Sequence, residues 1–308
     1  MYDLIIVGGG PGGVSAGIYG ARKKIKSLLI TETFGGQSIV SADIQNWIGT
    51  KNISGLELAK TLEEHLRAQE GIDIKAGQLA TEVSETPNGL KVKTSSGEEF
   101  ETKYLLWAAG SRRRKLNVPG ETEFDGKGVA YCATCDAPMF GDKDVVVIGG
   151  GNSGLESVVD LLSYANKIYL LEYGDVLKGD LVTQEKIKAS SKVEIILNAQ
   201  TLAVTGDKFV NGLKYKDRLS GEEKYLAVQG VFVEIGAMPN SEPVKALVGL
   251  DNYGQIIADP RTQKTSHARI WAIGDVSDVL YKQNNISVGD GVKALLNIYE
   301  EINKGQSA

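Results

Sequence analysis

The residues best suited to chemistry are Cys132-Ala133-Thr134-Cys135, the only two cysteines in the chain, spaced as a redox pair. In such a loop one thiolate can attack a partner disulfide and the other can resolve the mixed disulfide. The pair lies between two glycine-rich runs, Gly8-Gly9-Gly10-Pro11-Gly12-Gly13 and Gly149-Gly150-Gly151-Asn152-Ser153-Gly154. In such a run the first glycine permits a tight turn, the second lets backbone approach a pyrophosphate, and the third lets helix and strand pack closely. Two dinucleotide sites and one dithiol suggest an electron relay from nicotinamide through flavin to disulfide.

Asp136 follows the second cysteine, and no histidine is near it in sequence. A carboxyl of raised pKa is the simplest proton donor to a leaving thiolate. The alternative is that Asp136 caps the next turn. A zinc site is the competing use of a Cys-x-x-Cys pair, but zinc takes four ligands. There are no further cysteines, and His65 and His267 are distant in sequence, so no metal is expected. A buried, inert pair is the remaining alternative.

The elements that must hold these groups form a repeat. Residues 2–7 read as a buried strand, 14–24 as a helix and 27–31 as a strand ending at Glu32. Residues 144–148, about 155–164, and 167–171 ending at Glu172 repeat the pattern. Glu32 lies 24 residues after Gly8 and Glu172 lies 23 after Gly149. That spacing suits a carboxylate accepting ribose hydroxyls. Gly-rich turns that bind nothing are the weaker reading. Residues 91–94 and 99–102 flank a plausible hairpin turn at Ser95-Ser96-Gly97. Residues 104–107 and 270–275 read as further strands, and 289–303 as a C-terminal helix. Two crossover segments, 111–120 and 239–243, imply one domain inserted in another. The expected fold is α/β, with two Rossmann-like, three-layer nucleotide-binding domains. The outer domain would be 1–113 plus 244–308, and the inserted one 114–243.

Glu172 bears on the choice of nicotinamide. The segment from Leu171 to Lys178 holds Glu172 and Asp175 and only a distal lysine. A like-charge contact at 4 Å costs about 1 kcal/mol in water and about 4 at an effective dielectric near 20. The 2′-phosphate of NADPH would meet such a contact, so NADH is expected to be preferred by tenfold or more.

Bulk properties narrow the class. The chain has 308 residues, 42% hydrophobic and 24% charged, with a formal net charge of −5. That charge argues against a nucleic-acid partner, and Arg112-Arg113-Arg114-Lys115 reads as a local, solvated cluster. No run approaches the ~20 apolar residues of a membrane span. A strand beginning at once leaves no room for a signal peptide. A cytoplasmic protein is expected.

At this point the chain resembles the low-molecular-weight thioredoxin reductase family over essentially its whole length. The resemblance rests on Gly8 to Gly13, Gly35-Gly36-Gln37, Asn46-Trp47, Cys132 to Asp136, Gly149 to Asn152, Gly236 with Pro239-Asn240, and Gly274-Asp275 followed by Tyr281-Lys282-Gln283. It implies FAD held by Gly8, Gly10, Pro11, Gly13, Glu32, Gly36, Gln37, Asn46, Ala109, Gly110, Gly274, Asp275, Gln283 and Asn284. It implies NADH or NADPH held by Gly149, Gly151, Asn152, Ser153, Gly154, Glu172 and Gly236. By the same resemblance Cys135 faces the flavin, Cys132 attacks thioredoxin, Asp136 is the acid, the inserted domain rotates, and the protein is a homodimer.

Departures from the pattern matter. NADPH members carry a His-Arg-Arg segment and a further Arg where this chain has Glu172-Tyr173-Gly174 and Lys178. Where they often have Gly-Phe-Phe, this chain has Ala137-Pro138-Met139-Phe140. The segments 171–181 and 215–222 are similar to the flavoprotein component of alkyl hydroperoxide reductase. That component has an extra N-terminal dithiol domain, for which this chain shows no second cysteine pair. The expected acceptor is therefore a separate protein: thioredoxin, or a thioredoxin- or glutaredoxin-like carrier serving a peroxidase. A ferredoxin-linked or other-acceptor flavoprotein, and a sensor without turnover, are the remaining alternatives.

Overall fold

The computed structural model describes residues 1–41 and 44–306. The first βαβ unit forms as its residues dictate. Strand β1 (Tyr2–Gly9) is an apolar run whose Leu4, Ile5 and Ile6 are fully buried. Helix α1 (Pro11–Arg22) starts at Pro11, three residues earlier than its apolar pattern suggested. Proline suits the first helical turn because its missing N–H has no partner there anyway. β2 (Ser27–Phe34) runs two residues past Glu32. Then follow α2 (Gly55–Arg67), β3 (Ile72–Ala76), β4 (Ala80–Thr86), β5 (Gly89–Thr94) and β6 (Glu99–Trp107).

The chain divides into two compact units. The first comprises 1–40, 44–112 and 238 onward. Its seven-stranded sheet has the order β3-β2-β1-β6-β5-β4, with β17 (Ile270–Ala272) also on β6. β1, β2, β3, β6 and β17 pair in parallel, while β4 and β5 form an antiparallel extension. Residues 99–102 and 104–107, read separately in sequence, are one strand. Central placement of β6 against β1 and β5 overrides the interruption at Lys103. Helix α6 (Asn284–Gln306) packs on α1 and begins five residues before Gly289. Its first turn is tied to Ser38 by Asn284, a tertiary contact that outweighs the poor helix propensity of Asn-Asn-Ile-Ser.

The second unit comprises Ser41 and Arg113–Ala237 among the described residues. It contains β8 (Val129–Ala130), α3 (Ala133–Asp136), β9 (Asp144–Ile148), α4 (Asn152–Leu161), β10 (Lys167–Leu171), α5 (Leu181–Lys188) and β11 (Val193–Ile196). β12 (Ala199–Gly206), β13 (Val210–Asp217) and β14 (Glu223–Leu226) form an antiparallel sheet, and β15 (Gly230–Val233) returns to the first. The parallel sheet has the order β11-β10-β9-β15-β8. Helix α4 starts at Asn152 rather than near 155, directly after the glycine turn. The segments joining the units include β7 (Ser111–Arg113) and β16 (Ala237–Pro239), which pair with each other. Each unit thus has the strand–glycine turn–helix–strand plan of a Rossmann-like domain.

Candidate active site

In both units the third glycine lets a helix sit on its turn. A Cβ on Gly13 would lie 2.0 Å from the Gly8 carbonyl oxygen, and one on Gly154 would lie 1.8 Å from that of Gly149. Gly8 and Gly149 have φ of 121° and 118° and lie against the backbone of Ala108 and Glu234. The helices that follow have no side-chain cap and no acid in their first turn. Their first amides and positive dipole ends are therefore left for an anionic ligand. Open space surrounds Gly151. Both turns fit a diphosphate-bearing dinucleotide.

In the first unit the expected flavin residues gather from remote parts of the chain. Gln37 donates its amide to Asp275 (3.3 Å) and Ser111 (3.1 Å), and Asn46 donates to Gln283 (3.3 Å). Asn285 donates to the Asn46 carbonyl. Gly36 approaches Gly10, with an added Cβ 3.4 Å from the Gly10 Cα, and Gly274 takes φ of 66°. Ala109 and Gly110 are pinned by Asn240, which donates its side-chain amide to Ala109 and its backbone amide to Gly110. Glu32 is exposed at the sheet's carboxyl edge, where an acid can reach a ribose.

The second unit treats its acid differently. Glu172 is buried, and its two carboxylate oxygens accept from the amides of Gly150 (2.6 Å) and Gly174 (2.7 Å). It braces the glycine turn. Asn152 Oδ1 accepts from the Asp180 amide, and Ser153 donates its hydroxyl to Glu234. These polar side chains hold the loop, so the groups left for a diphosphate are backbone amides. Gly236 takes φ of 98° with open space around it. Sequence reasoning missed Arg218, which stacks 4.0 Å from the Tyr173 ring centroid and donates to the Tyr173 carbonyl. Its link to that loop is long-range, and only a predicted pairing of 215–222 with 172–174 would reveal it.

Cys132 and Cys135 form a disulfide with Cα atoms 5.4 Å apart. Cys132 caps α3 and both cysteines are partly exposed. Thr134 donates to Asp160 on α4, fixing the loop against that helix. No group of acidic, histidine or cysteine side chains suited to a metal occurs among the described residues.

Asp136 is partly buried beside the pair. Burial, and then the negative charge of Glu234, push its carboxyl up to about 6 from an ordinary 3.8. A carboxyl poised near neutrality can donate a proton to a leaving thiolate. A raised acid also has a stability consequence. The native protein holds this proton more tightly than the unfolded chain, so its contribution is full below pH 3.8 and lost as pH rises through 6. The ceiling is about 3 kcal/mol, reduced to about 1–2 kcal/mol by partial exposure. Asp136→Asn is therefore expected to raise the unfolding free energy at pH 8 by about that amount, with no gain at pH 3. It should also slow dithiol–disulfide exchange at least tenfold. Denaturant titrations at the two pH values, with exchange rates alongside, check both effects.

Among the described residues no helix is long and apolar enough to cross a membrane. With this geometry in view, comparison with known proteins is direct. Residues 2–291 match the family model described as pyridine nucleotide-disulphide oxidoreductase. The chain is 42% identical over 299 residues to a protein named NADH dehydrogenase from Bacillus subtilis (strain 168), covering 97% of this chain and 58% of the other. It is 42% identical over 301 residues to the F component of alkyl hydroperoxide reductase from Staphylococcus aureus (strain MRSA252), covering 98% and 59%. The chain thus spans about three fifths of the length of these relatives. Among solved structures, thioredoxin reductase from Streptococcus pyogenes MGAS5005 superposes with a TM-score of 0.88 at 32% identity, covering 99% of each chain. On the family match and the identities together, the chain belongs to the pyridine nucleotide-disulphide oxidoreductase family.

Proposed function

We propose that the protein is a flavoprotein disulfide reductase that takes electrons from NADH and delivers them, through Cys132 and Cys135, to thioredoxin or a thioredoxin-like protein. The observation that carries this reading is the Cys132–Cys135 disulfide beside an acid raised to about 6, in the same unit as a glycine turn ready for a dinucleotide. In this reading the first unit holds FAD and the second holds the nicotinamide. Bound flavin would supply the two-electron relay between nicotinamide and disulfide.

The chain's own residues do the rest. The α1 amides and Glu32 hold the adenosine diphosphate half of the flavin, and the Gln37–Asp275 and Asn46–Gln283 pairs line its other end. The α4 amides hold the nicotinamide's diphosphate. Cys132 attacks the carrier disulfide, Cys135 resolves the adduct, and Asp136 protonates the departing sulfur. A homodimer, which rests on the family resemblance, and a cytoplasmic location complete the reading.

Glu172 supports NADH over NADPH. Its carboxylate lies against the Gly150 amide, so a 2′-phosphate at this loop brings like charges together. The Arg218 guanidinium is occupied by the ring and carbonyl of Tyr173. The expected kcat/KM is at least tenfold higher with NADH. Equal values for the two nucleotides in steady-state assays would remove Glu172 from specificity.

A second reading keeps the chemistry and changes the carrier to one serving a peroxidase. It is favoured by the 42% identity to an alkyl hydroperoxide reductase component. Steady-state turnover with thioredoxin and with a glutaredoxin-like carrier, compared at equal concentrations, separates the two.

A further inference from the structure

Glu234 is a charge placed where none is expected. It directly follows the wholly buried strand β15, in the run Gly230-Val231-Phe232-Val233-Glu234, and is itself only 5% exposed. Buried carboxylates are costly unless they are hydrogen-bonded or paired. Polar groups from three elements face this one. Ser153 on α4 donates a hydroxyl hydrogen bond, while the Ser157 hydroxyl on the same helix and the Ala133 amide at the start of α3 favour the charged form without closing a full hydrogen bond. Arg113 Nη1 on β7 stands 3.9 Å away, long for a hydrogen bond. β15 also runs parallel to β8 with Phe232 opposite Ala130, so this carboxylate lies between the helix that opens the second glycine turn and the start of the helix that follows Cys132.

We propose that Glu234 is a positioning residue for the dithiol, setting the proton occupancy of Asp136 from inside the domain. The inference rests on the proposed reading of Asp136 as the acid of a disulfide reductase. The charged and titratable groups around Glu234 are Arg113 from β7 and Asp136 from α3; Asp160 of α4 is bonded to Thr134. α4 faces Glu234 with two neutral hydroxyls. The cation at 3.9 Å is partly exposed, so it offsets the Glu234 charge incompletely.

Burial raises Glu234 above the usual carboxylate range, opposed by Ser153, Arg113, Ser157 and the Ala133 amide. Its charge is in turn the second cause of the raised Asp136. Two neighbouring carboxyls in one buried site resist full ionisation, and they titrate as a pair.

The proton so retained has a defined use. When Cys135 Sγ attacks Cys132 Sγ, the bond between Cys132 and the carrier sulfur breaks. The electron pair passes to the carrier sulfur, which takes the Asp136 proton and leaves as a thiol. Asp136 is left as carboxylate and the Cys132–Cys135 disulfide is re-formed. Rates governed by this step fall as pH rises through the ionisation of Asp136.

The test is the pH profile of NADH-dependent disulfide reduction by the FAD-loaded protein, from pH 5 to 9, for wild type, Asp136→Asn, Glu234→Gln and Ser157→Ala. Glutamine keeps an acceptor for Ser153 and removes the charge. We expect Asp136→Asn to abolish the alkaline limb. Glu234→Gln should move that limb about one pH unit lower and cut the rate above the limb about tenfold. Ser157→Ala removes a donor that stabilises the charged form, so it should move the limb the same way by about half as much. If Asp136→Asn abolishes the limb and Glu234→Gln leaves it in place, the role of Glu234 is refuted while the reductase reading stands. Should Glu234→Gln fail to fold, an unmoved limb in Ser157→Ala refutes it instead. A limb that survives Asp136→Asn overturns the assignment of Asp136 itself, and the inference with it.

Discussion

Cys135→Ser is expected to lower NADH-dependent reduction of a thioredoxin disulfide by at least a thousandfold. The argument is one of stoichiometry. Reducing a disulfide needs two electrons and two sulfurs on the enzyme: one to attack the carrier and one to resolve the mixed disulfide. Cys132 and Cys135 are the chain's only cysteines and are bonded to each other, so no third sulfur can substitute. With serine at 135 the reaction halts at a covalent adduct between Cys132 and the carrier. That adduct should be visible on non-reducing gels and released by dithiothreitol. Ferricyanide, an acceptor that needs no thiol, should still be reduced. Retained turnover with thioredoxin would mean that electrons leave by another route, as the other-acceptor reading requires.

Gly154→Ala is expected to reduce kcat/KM for NADH at least a hundredfold while flavin content stays at wild-type level. The added methyl would sit 1.8 Å from the Gly149 carbonyl oxygen and 2.9 Å from its carbon. Both are backbone atoms of the turn that must cradle the diphosphate, so neither can rotate away. Relief requires moving α4 off the turn, at a cost of about 3 kcal/mol or more. A hundredfold change in rate corresponds to about 2.7 kcal/mol, within that cost. Gly13→Ala has the same geometry in the other unit, 2.0 Å from the Gly8 oxygen, and should reverse the phenotype: little bound FAD. Bound flavin measured by absorbance and NADH saturation measured by kinetics separate the two variants. Loss of flavin in Gly154→Ala, with NADH use intact, would exchange the proposed roles of the two turns.

What was legible in the chain follows from which constraints are local. A phosphate-binding turn demands glycines at fixed offsets from one strand and one helix, so Gly8 to Gly13 and Gly149 to Gly154 could be read directly. Their helices begin at Pro11 and Asn152, earlier than their apolar residues imply, because the turn's geometry sets the start. Charge hid other elements. Residues 199–226 alternate imperfectly, with Lys214, Lys216 and Lys224 facing outward and a register shift between Thr201 and Ala203, so their antiparallel sheet is not legible in the sequence. Helix α2 likewise went unread, although Ser54 caps it through the Glu57 amide.

At the site, types and spacing marked the cysteine pair and Asp136. Glu234 and Arg218 meet residues 77–121 and 45 positions away, beyond any local pattern. One signal for Glu234 was available: an acid closing the otherwise apolar run Val231-Phe232-Val233 must be buried, and buried acids gather at functional sites. Glu172 shows the converse. Its spacing marked a ribose acceptor, while its carboxylate is spent on two backbone amides of its own loop.

The most direct test is anaerobic stopped-flow absorbance of the FAD-loaded protein, mixed first with NADH or NADPH and then with oxidised thioredoxin. The account predicts rapid flavin bleaching by NADH, at least tenfold slower bleaching by NADPH at equal subsaturating concentration, and return of the oxidised spectrum when thioredoxin disulfide is added. A flavin that neither nucleotide bleaches, or one that stays bleached in the presence of the disulfide, would contradict the relay through Cys132 and Cys135.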